Sequence, residues 1–137
     1  MPDSRVPGSL KIGELASRSG RSVHAIRWYE AQGLIPGVVR DPGGRRRYSE
    51  RHLDWLALME RLRKTGMSIA DMREYTKLVR QGRSTLHERQ AMLARHRERV
   101  KRTIVDWNEA LALLERKLDF YDDLIRRGRS TRGAPSR

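Results

Sequence analysis

The sequence predicts a mostly α-helical protein: a small domain of four helices and a two-stranded hairpin, followed by one long helix that forms a coiled coil. Three observations predict this fold. Turn residues divide the first part of the chain into short segments with helical spacing, a Pro-Gly-Gly bend separates two stretches of strand-forming residues, and apolar residues recur every seven positions from Leu86 onward. The predicted boundaries are a disordered arm at 1–9, the small domain at 10–82, the long helix at 83–126 and a basic disordered tail at 127–137.

The charge of the chain narrows the class of partner. The formal net charge is +13, from 30 Lys and Arg against 17 Asp and Glu. Phosphates attract such a surface and release counterions when it binds, so the charge favours nucleic acid. An acidic protein or a membrane face would also satisfy this attraction, and the positions of the basic residues must decide between them.

The compartment follows from what the sequence lacks. Because it has no cysteine, it can form neither a disulfide nor a thiolate metal site, which fits a reducing cytosol. No apolar run approaches the roughly 20 residues that span a bilayer, and the first ten residues lack the apolar core of a signal peptide. We therefore expect a cytoplasmic protein without a membrane partner.

The first two helices form a helix-turn-helix pattern. Residues 11–18 carry apolar positions at helical spacing and end at Ser19-Gly20, and Ser22 is a good N-cap for a second helix that ends near Gly33. Two short helices joined by a turn that contains glycine are typical of this motif. By itself this pattern is weak evidence for DNA binding, because any small helical bundle contains two short helices joined by a turn.

The second helix has an informative outer face. Val23 and Ile26 point toward the first helix, with Tyr29 or Glu30 as the next candidate on that side. This leaves His24, Ala25, Arg27 and Trp28 mostly outward. An arginine and an indole donor suit phosphates and base edges in a major groove. The sequence leaves an alternative open, in which Trp28 folds back onto the core and Arg27 is merely solvated.

A basic hairpin follows the second helix. Residues 38–40 and 46–48 have the composition of two short strands, and Asp41-Pro42-Gly43-Gly44 supplies the turn between them. A ribbon beside a helix-turn-helix is a wing, and arginines at its tip meet phosphates or the adjacent minor groove. This explains three consecutive arginines at 45–47, although a solvated basic loop is the alternative.

Two further helices complete the small domain and have a structural role. Ser49 is expected to cap the third helix, which ends at Thr65-Gly66. The fourth helix begins at Ser68, where the sequence resembles a capping box. This helix stops near Gln81-Gly82.

The long helix carries the pattern of a coiled coil. One seam contains Leu86 and every seventh residue to Tyr121, and the companion seam becomes apolar from Ile104 onward. A helix cannot bury such a stripe by itself, and the stripe is longer than four short helices could cover if it folded back on its own domain. The predicted dimer contacts are Leu93, Val100, Ile104, Trp107, Leu111, Leu114 and Leu118.

Three motifs together resemble the DNA-binding half of a MerR-family transcriptional regulator. These are KIGELASRSGRSVHAIRWYEAQGLI, RDPGGRRRYS and LRKTGMSIADMREY, in the order and spacing of the family, over about residues 10–78. The resemblance implies a winged helix-turn-helix DNA-binding domain followed by a long antiparallel coiled-coil dimerisation helix. It also implies a homodimer that binds a pseudo-palindromic spacer in double-stranded promoter DNA and distorts it, so that transcription by RNA polymerase is activated or repressed.

The resemblance assigns contacts residue by residue. Arg27 and Tyr29 match recognition-helix contacts, Arg46 and Tyr48 match wing contacts, and Arg18 matches a frequent phosphate contact. Lys11, Trp28 and Arg45 depart from the residues that are common in the family, which puts the preferred operator in doubt. The full set of expected DNA-binding residues is Arg18, Ser22, His24, Arg27, Trp28, Tyr29, Arg40, Arg45, Arg46, Arg47 and Tyr48.

No metal or cofactor is expected. Family members that sense metals or redox state use cysteines near the ends of the long helix, and this chain holds none. Its histidines never occur at the i, i+4 spacing of a helical metal site. An effector, if one exists, would be a small organic molecule between the long helix and helices three and four, with Trp107 and Phe120 as candidate walls that also suit the dimer core.

Two rival functions differ in class. A non-specific architectural protein could use the same basic wing to coat and bend DNA with little sequence preference. An enzyme is disfavoured, because the sequence has no clustered histidines and carboxylates and no phosphate-binding glycine loop followed by a catalytic lysine.

Overall fold

The structure is a computed structural model that describes residues 9–133. It divides into two compact units, one that ends at His96 and one that begins at Arg97. The elements, in chain order, are β1 (Ser9–Leu10), α1 (Ile12–Ser19), α2 (Val23–Ala31), β2 (Val39–Arg40), β3 (Arg46–Ser49), α3 (Arg51–Lys64), α4 (Ile69–Arg80), a 3-10 turn (Arg83–Thr85) and α5 (Leu86–Gly133). The predicted mostly α-helical class, with a small wing and a long C-terminal helix, is confirmed.

The helix-turn-helix forms where the turn residues predict it. Gly20 ends α1 with φ of 72°, a left-handed conformation that favours glycine. The Ser22 hydroxyl accepts a hydrogen bond from the Ala25 N–H at 3.0 Å and so caps α2. Leu15 and Ile26 are fully buried, which fixes the angle between the two helices.

The wing belongs to a three-stranded antiparallel sheet in the order β1-β3-β2. The predicted hairpin is present, with Val39 opposite Arg47, and β1 adds Leu10 opposite Tyr48 on the other side of β3. Ser9 therefore lies in a strand and not in a disordered arm, which corrects the predicted boundary. The rest of that arm, residues 1–8, lies outside the described residues.

The start of α3 differs from the prediction. Ser49 is the last residue of β3, and Glu50 is the N-cap of α3 without a capping side chain. The Ser49 N–H donates to His52 Nδ1 at 2.9 Å, so a side chain from the first turn of α3 bonds back to the end of β3. Helix α4 begins as predicted, because Ser68 Oγ accepts from the Asp71 N–H at 3.0 Å.

The core of the first unit extends beyond the predicted domain end at residue 82. Helices α1 to α4 enclose apolar side chains that include Leu15, Ile26, Leu34, Leu56, Met59 and Met72. Met92 and Leu93, in the first turns of α5, pack against this core. Leu93, which is predicted to lie in the dimer seam, thus also helps to bury its own domain.

The second unit is the remainder of α5. Ile104, Trp107, Leu111, Leu114 and Leu118 are exposed there, with 74% of Trp107 accessible, and Val100 is half-buried. Asp122 pairs with Arg126 at 3.1 Å and Asp123 pairs with Arg127 at 3.0 Å, both at the i, i+4 spacing that supports a helix. The helix continues to Gly133, so the expected tail is helical at 127–133, while 134–137 lie outside the described residues.

Candidate nucleic-acid interface

The outer face of α2 presents fewer residues than the resemblance implies. His24 and Arg27 are exposed, and Ser22 lies at the N-terminus of the helix. Ile26 is buried, and Tyr29 is only 5% exposed in the same core. Tyr29 therefore falls on the inner stripe with Ile26, three residues earlier, as one of the two positions that the sequence offered for that side, although the resemblance matches it to a recognition-helix contact.

Trp28 lies between the two alternatives that the sequence left open. It is half-buried and packs against the core, and its ring meets Tyr29 edge-to-face with centroids 5.2 Å apart. The Arg63 guanidinium lies 4.4 Å from the ring centroid, in the geometry of a cation–π contact. Trp28 thereby connects the outer side of α2 to the last turn of α3, and Arg63 brings a cation beside α2.

One carboxylate links α2 to the wing. The Tyr48 hydroxyl donates to Glu30 Oε1 at 2.8 Å, and Arg46 Nε lies 2.5 Å from Glu30 Oε2. Tyr48 is 2% exposed, and this burial, followed by its bond to Glu30, raises the pKa of the phenol. The positive charges of Arg46 and Arg27 oppose this shift but are smaller causes than burial and the bond to Glu30.

The three arginines of the wing have three different environments. Arg45 is exposed and is held through its backbone: its N–H donates to Asp41 Oδ1 at 2.9 Å, and its carbonyl accepts from the Asp41 N–H at 2.8 Å. Arg46 is half-exposed and pairs with Glu30. Arg47 is 4% exposed and donates twice to the Ser9 hydroxyl, at 2.8 and 3.0 Å. The expectation that Arg47 and Tyr48 are exposed for DNA contact is thus corrected.

Strand geometry explains this division. Successive side chains of a strand point to opposite faces, so Arg46 and Tyr48 share the face that contacts Glu30. Arg47 points to the other face, where β1 supplies Ser9. In the neighbouring strand Arg40 is exposed and donates to the Gly44 carbonyl at 2.8 Å, which tightens the turn.

Arg18 lies on the exposed side of α1 with a carboxylate beside it. Its two terminal nitrogens donate to the two oxygens of Glu50, at 2.5 and 2.8 Å. This bidentate bond raises the pKa of Arg18 and lowers the pKa of Glu50. A phosphate that binds Arg18 must therefore share it with Glu50 or displace that carboxylate.

Three residues that shape this surface were not predicted as part of it: Arg63, Ser9 and Glu30, which the sequence offered only as a candidate for the inner side of α2. A signal existed for Arg63, because an aromatic ring on the outer side of α2 attracts a cation and the last turn of α3 contains three. The sequence held no signal for the role of Ser9, because a strand of two residues shows no periodicity. Within residues 9–133 no group of three or more His, Asp and Glu side chains could hold a metal ion, and no helix could cross a membrane.

Comparison with known proteins gives the same architecture. A family model described as MerR HTH family regulatory protein matches residues 10–78, and a second, described as MerR, DNA binding, matches residues 53–119. An uncharacterized HTH-type transcriptional regulator of Haemophilus influenzae is 37% identical over 106 residues, which cover 77% of this chain and 78% of that protein.

Two solved structures are also similar. HiNmlR, a MerR family regulator lacking the sensor domain and bound to promoter DNA, has a TM-score of 0.76 and 33% identity, over 88% of this chain and 95% of that one. A MerR family transcriptional regulator from Bacillus thuringiensis has a TM-score of 0.72 and 27% identity, over 82% and 99% of the two chains. The chain belongs to the MerR family of helix-turn-helix regulatory proteins.

Proposed function

We propose that two copies of this chain bind a pseudo-palindromic site in double-stranded promoter DNA and distort its spacer, so that transcription by RNA polymerase is activated or repressed. The observation that carries the proposal is the Glu30 link, which joins α2 to the wing through Tyr48 and Arg46. Two basic elements fixed to each other present one rigid surface to a groove and its flanking phosphates. HiNmlR, bound to promoter DNA in its solved structure, supports the choice of ligand.

In this proposal the contacts come from the exposed or half-exposed members of the expected set. His24 and Arg27 face the groove from α2, and Arg40 and Arg45 meet phosphates from the wing. Arg18 and Arg46 are partly neutralised by carboxylates, so they bind phosphate less strongly than free arginines would. Tyr29, Arg47 and Tyr48 hold the surface in place from inside.

Dimer formation follows from the apolar stripe on α5. Ile104, Trp107, Leu111, Leu114 and Leu118 are all more than half exposed, a larger apolar surface than a lone helix keeps in water. A second copy of the same helix would bury it, and two-fold symmetry would present two recognition helices to two half-sites. We therefore propose a homodimer with an antiparallel pair of α5 helices.

The proposal also places the protein in the cytoplasm with the chromosomal DNA and gives it no catalytic step or cofactor. The relatives compared above are named as transcriptional regulators. The high positive charge keeps such a protein near nucleic acid at all times, because non-specific phosphate binding precedes the search for a site.

A footprint on the DNA upstream of the protein's own gene tests this function. The purified protein is added at physiological salt with excess non-specific competitor DNA. We expect two protected half-sites across a promoter spacer, with a hypersensitive centre where the DNA is distorted. Arg27→Gln should lose the protection, while Lys77→Gln, an equal loss of charge on an exposed position of α4, should keep it. Uniform coating that the competitor removes would contradict the proposal and support an architectural role.

A further inference from the structure

A cavity of about 610 Å³ lies where the end of α2 leads into the wing. Its walls include Pro36 from the connection before β2, His52 and Trp55 from α3, and Val79 from α4. This volume is within the range of sites that hold small organic molecules, and its walls are mainly apolar. All of its lining residues belong to the first compact unit.

The aromatic wall of the cavity is fixed before any ligand arrives. Trp55 stacks on Tyr75 with ring centroids 5.7 Å apart and planes at 10°. Its indole N–H donates to the Leu34 carbonyl at 2.5 Å, which sets the direction of the ring. A planar apolar group can therefore pack against Trp55 without ordering the side chain first.

The mouth of the cavity is positively charged. Arg51 and Arg80 are both exposed there, and no described carboxylate lines the cavity. Arg80 donates to the Ile35 carbonyl at 3.3 Å, a long bond that leaves most of its five donor hydrogens for another acceptor. Two guanidinium groups beside an apolar aromatic wall fit a ligand with an anionic head and a flat apolar body.

The cavity also touches the connection between the two proposed DNA-binding elements. Trp55, Arg80 and His52 bond the successive carbonyls of Leu34, Ile35 and Pro36. His52 accepts from the Ser49 N–H through Nδ1, so its proton lies on Nε2, which donates to the Pro36 oxygen at 2.6 Å. Side chains that would hold a ligand therefore also fix the backbone between α2 and β2.

We propose that this cavity binds a small organic anion with a planar apolar body, such as an aromatic carboxylate. This site lies in the small domain, and its walls do not include Trp107 or Phe120, which the sequence suggested for an effector site. The proposal goes beyond DNA binding, and its test needs no DNA, so it succeeds or fails independently of the proposed function.

The test is a titration of the full-length 15N-labelled protein with 1-naphthoate, with neutral 1-naphthamide as the control ligand. The indole N–H signals of Trp28, Trp55 and Trp107 are followed by nuclear magnetic resonance, and Trp55→Phe assigns its signal by loss. We expect 1-naphthoate to shift the Trp55 signal in a saturable manner while the other two signals stay in place. The amide should bind about tenfold more weakly, because it lacks the charge that the guanidinium groups recognise.

Matched variants locate the site. Arg80→Gln and Arg51→Gln should each raise the dissociation constant of 1-naphthoate about tenfold, while Lys77→Gln, on the same helix as Arg80 but outside the cavity, should change it less than about twofold. Equal binding of acid and amide, or equal effects of the three variants, would overturn the proposal. A Trp55 signal that shifts with protein concentration alone would also overturn it, because a second copy would then cover the cavity.

Discussion

Tyr48 in the wing donates a hydrogen bond to Glu30 in α2, with 2.8 Å between the phenol oxygen and Oε1. The same carboxylate pairs with Arg46 through its second oxygen. One acidic side chain therefore links two elements that are separate in sequence, α2 and the wing.

The stability of the protein should decrease in alkaline solution because of Tyr48. The unfolded phenol titrates near its usual pKa of 10.0, whereas burial and the bond to Glu30 raise the pKa in the folded protein. The folded state then binds more protons than the unfolded state, so the free energy of unfolding falls as the pH rises above about 10. Urea unfolding at several pH values measures this slope. Tyr48→Phe should flatten it, while Tyr121→Phe, at an exposed position on α5, should not; equal slopes in both variants would disprove the assignment.

Arg45 should contribute to the salt dependence of DNA binding. Its guanidinium is exposed at the tip of the wing, where it can neutralise one phosphate. Arg45→Gln should reduce the slope of log affinity against log salt by about one, because one counterion fewer is released. Fluorescence anisotropy with labelled operator DNA between low and high salt measures the slope, and Lys77→Gln serves as the control of equal charge. If Arg45→Gln left the slope unchanged, Arg45 would not be one of the residues that contact phosphate.

Ser9 and Arg47 should stabilise the fold as a pair. Their side chains are joined by two hydrogen bonds that hold β1 against β3, and Arg47 is buried. Ser9→Ala should lower the free energy of unfolding by about 1–2 kcal/mol, because it leaves buried donors unpaired. In a double-mutant cycle with Arg47→Gln the two losses should not add. Additive losses in chemical unfolding would show that the two side chains act separately.

The dimer should depend on the apolar stripe of α5 and not on the charge of that helix. Leu114 is exposed and belongs to the predicted seam, while the neighbouring Glu115 lies beside it on the helix surface. Leu114→Lys should shift the protein to monomers in sedimentation velocity, because it places a charge in an apolar contact. Glu115→Lys, which changes the charge even more, should remain dimeric. If Leu114→Lys remained dimeric as well, the seam would lie elsewhere on the helix.

The sequence predicted those parts of the fold that depend on neighbouring residues. Gly20, Ser22 and Ser68 act on residues within one turn, so the helix boundaries they set were correct. The hairpin was predicted for the same reason, since its strands are joined by a short turn. Such signals are local and can be recognised without knowing the tertiary structure.

The errors involve partners that are distant in the chain. Arg47 is buried because it meets Ser9, 38 residues earlier, and an arginine in a basic run gives no sign of such a partner. Leu93 fits a heptad and also packs against the domain core, so periodicity alone could not choose between these roles. The sequence thus places the candidate interface on α2 and the wing, whereas the side chains that are exposed there depend on tertiary contacts.

The division of the arginine run at 45–47 has a consequence for the tolerance of the wing to substitution. Arg45 contacts solvent, so many polar residues could replace it without harm to the fold. Arg46 is constrained by Glu30, and Arg47 by a neighbouring strand. Three identical residues therefore carry three different evolutionary constraints, and related proteins could change what the wing recognises at 45 while 47 stays fixed by the architecture of the sheet.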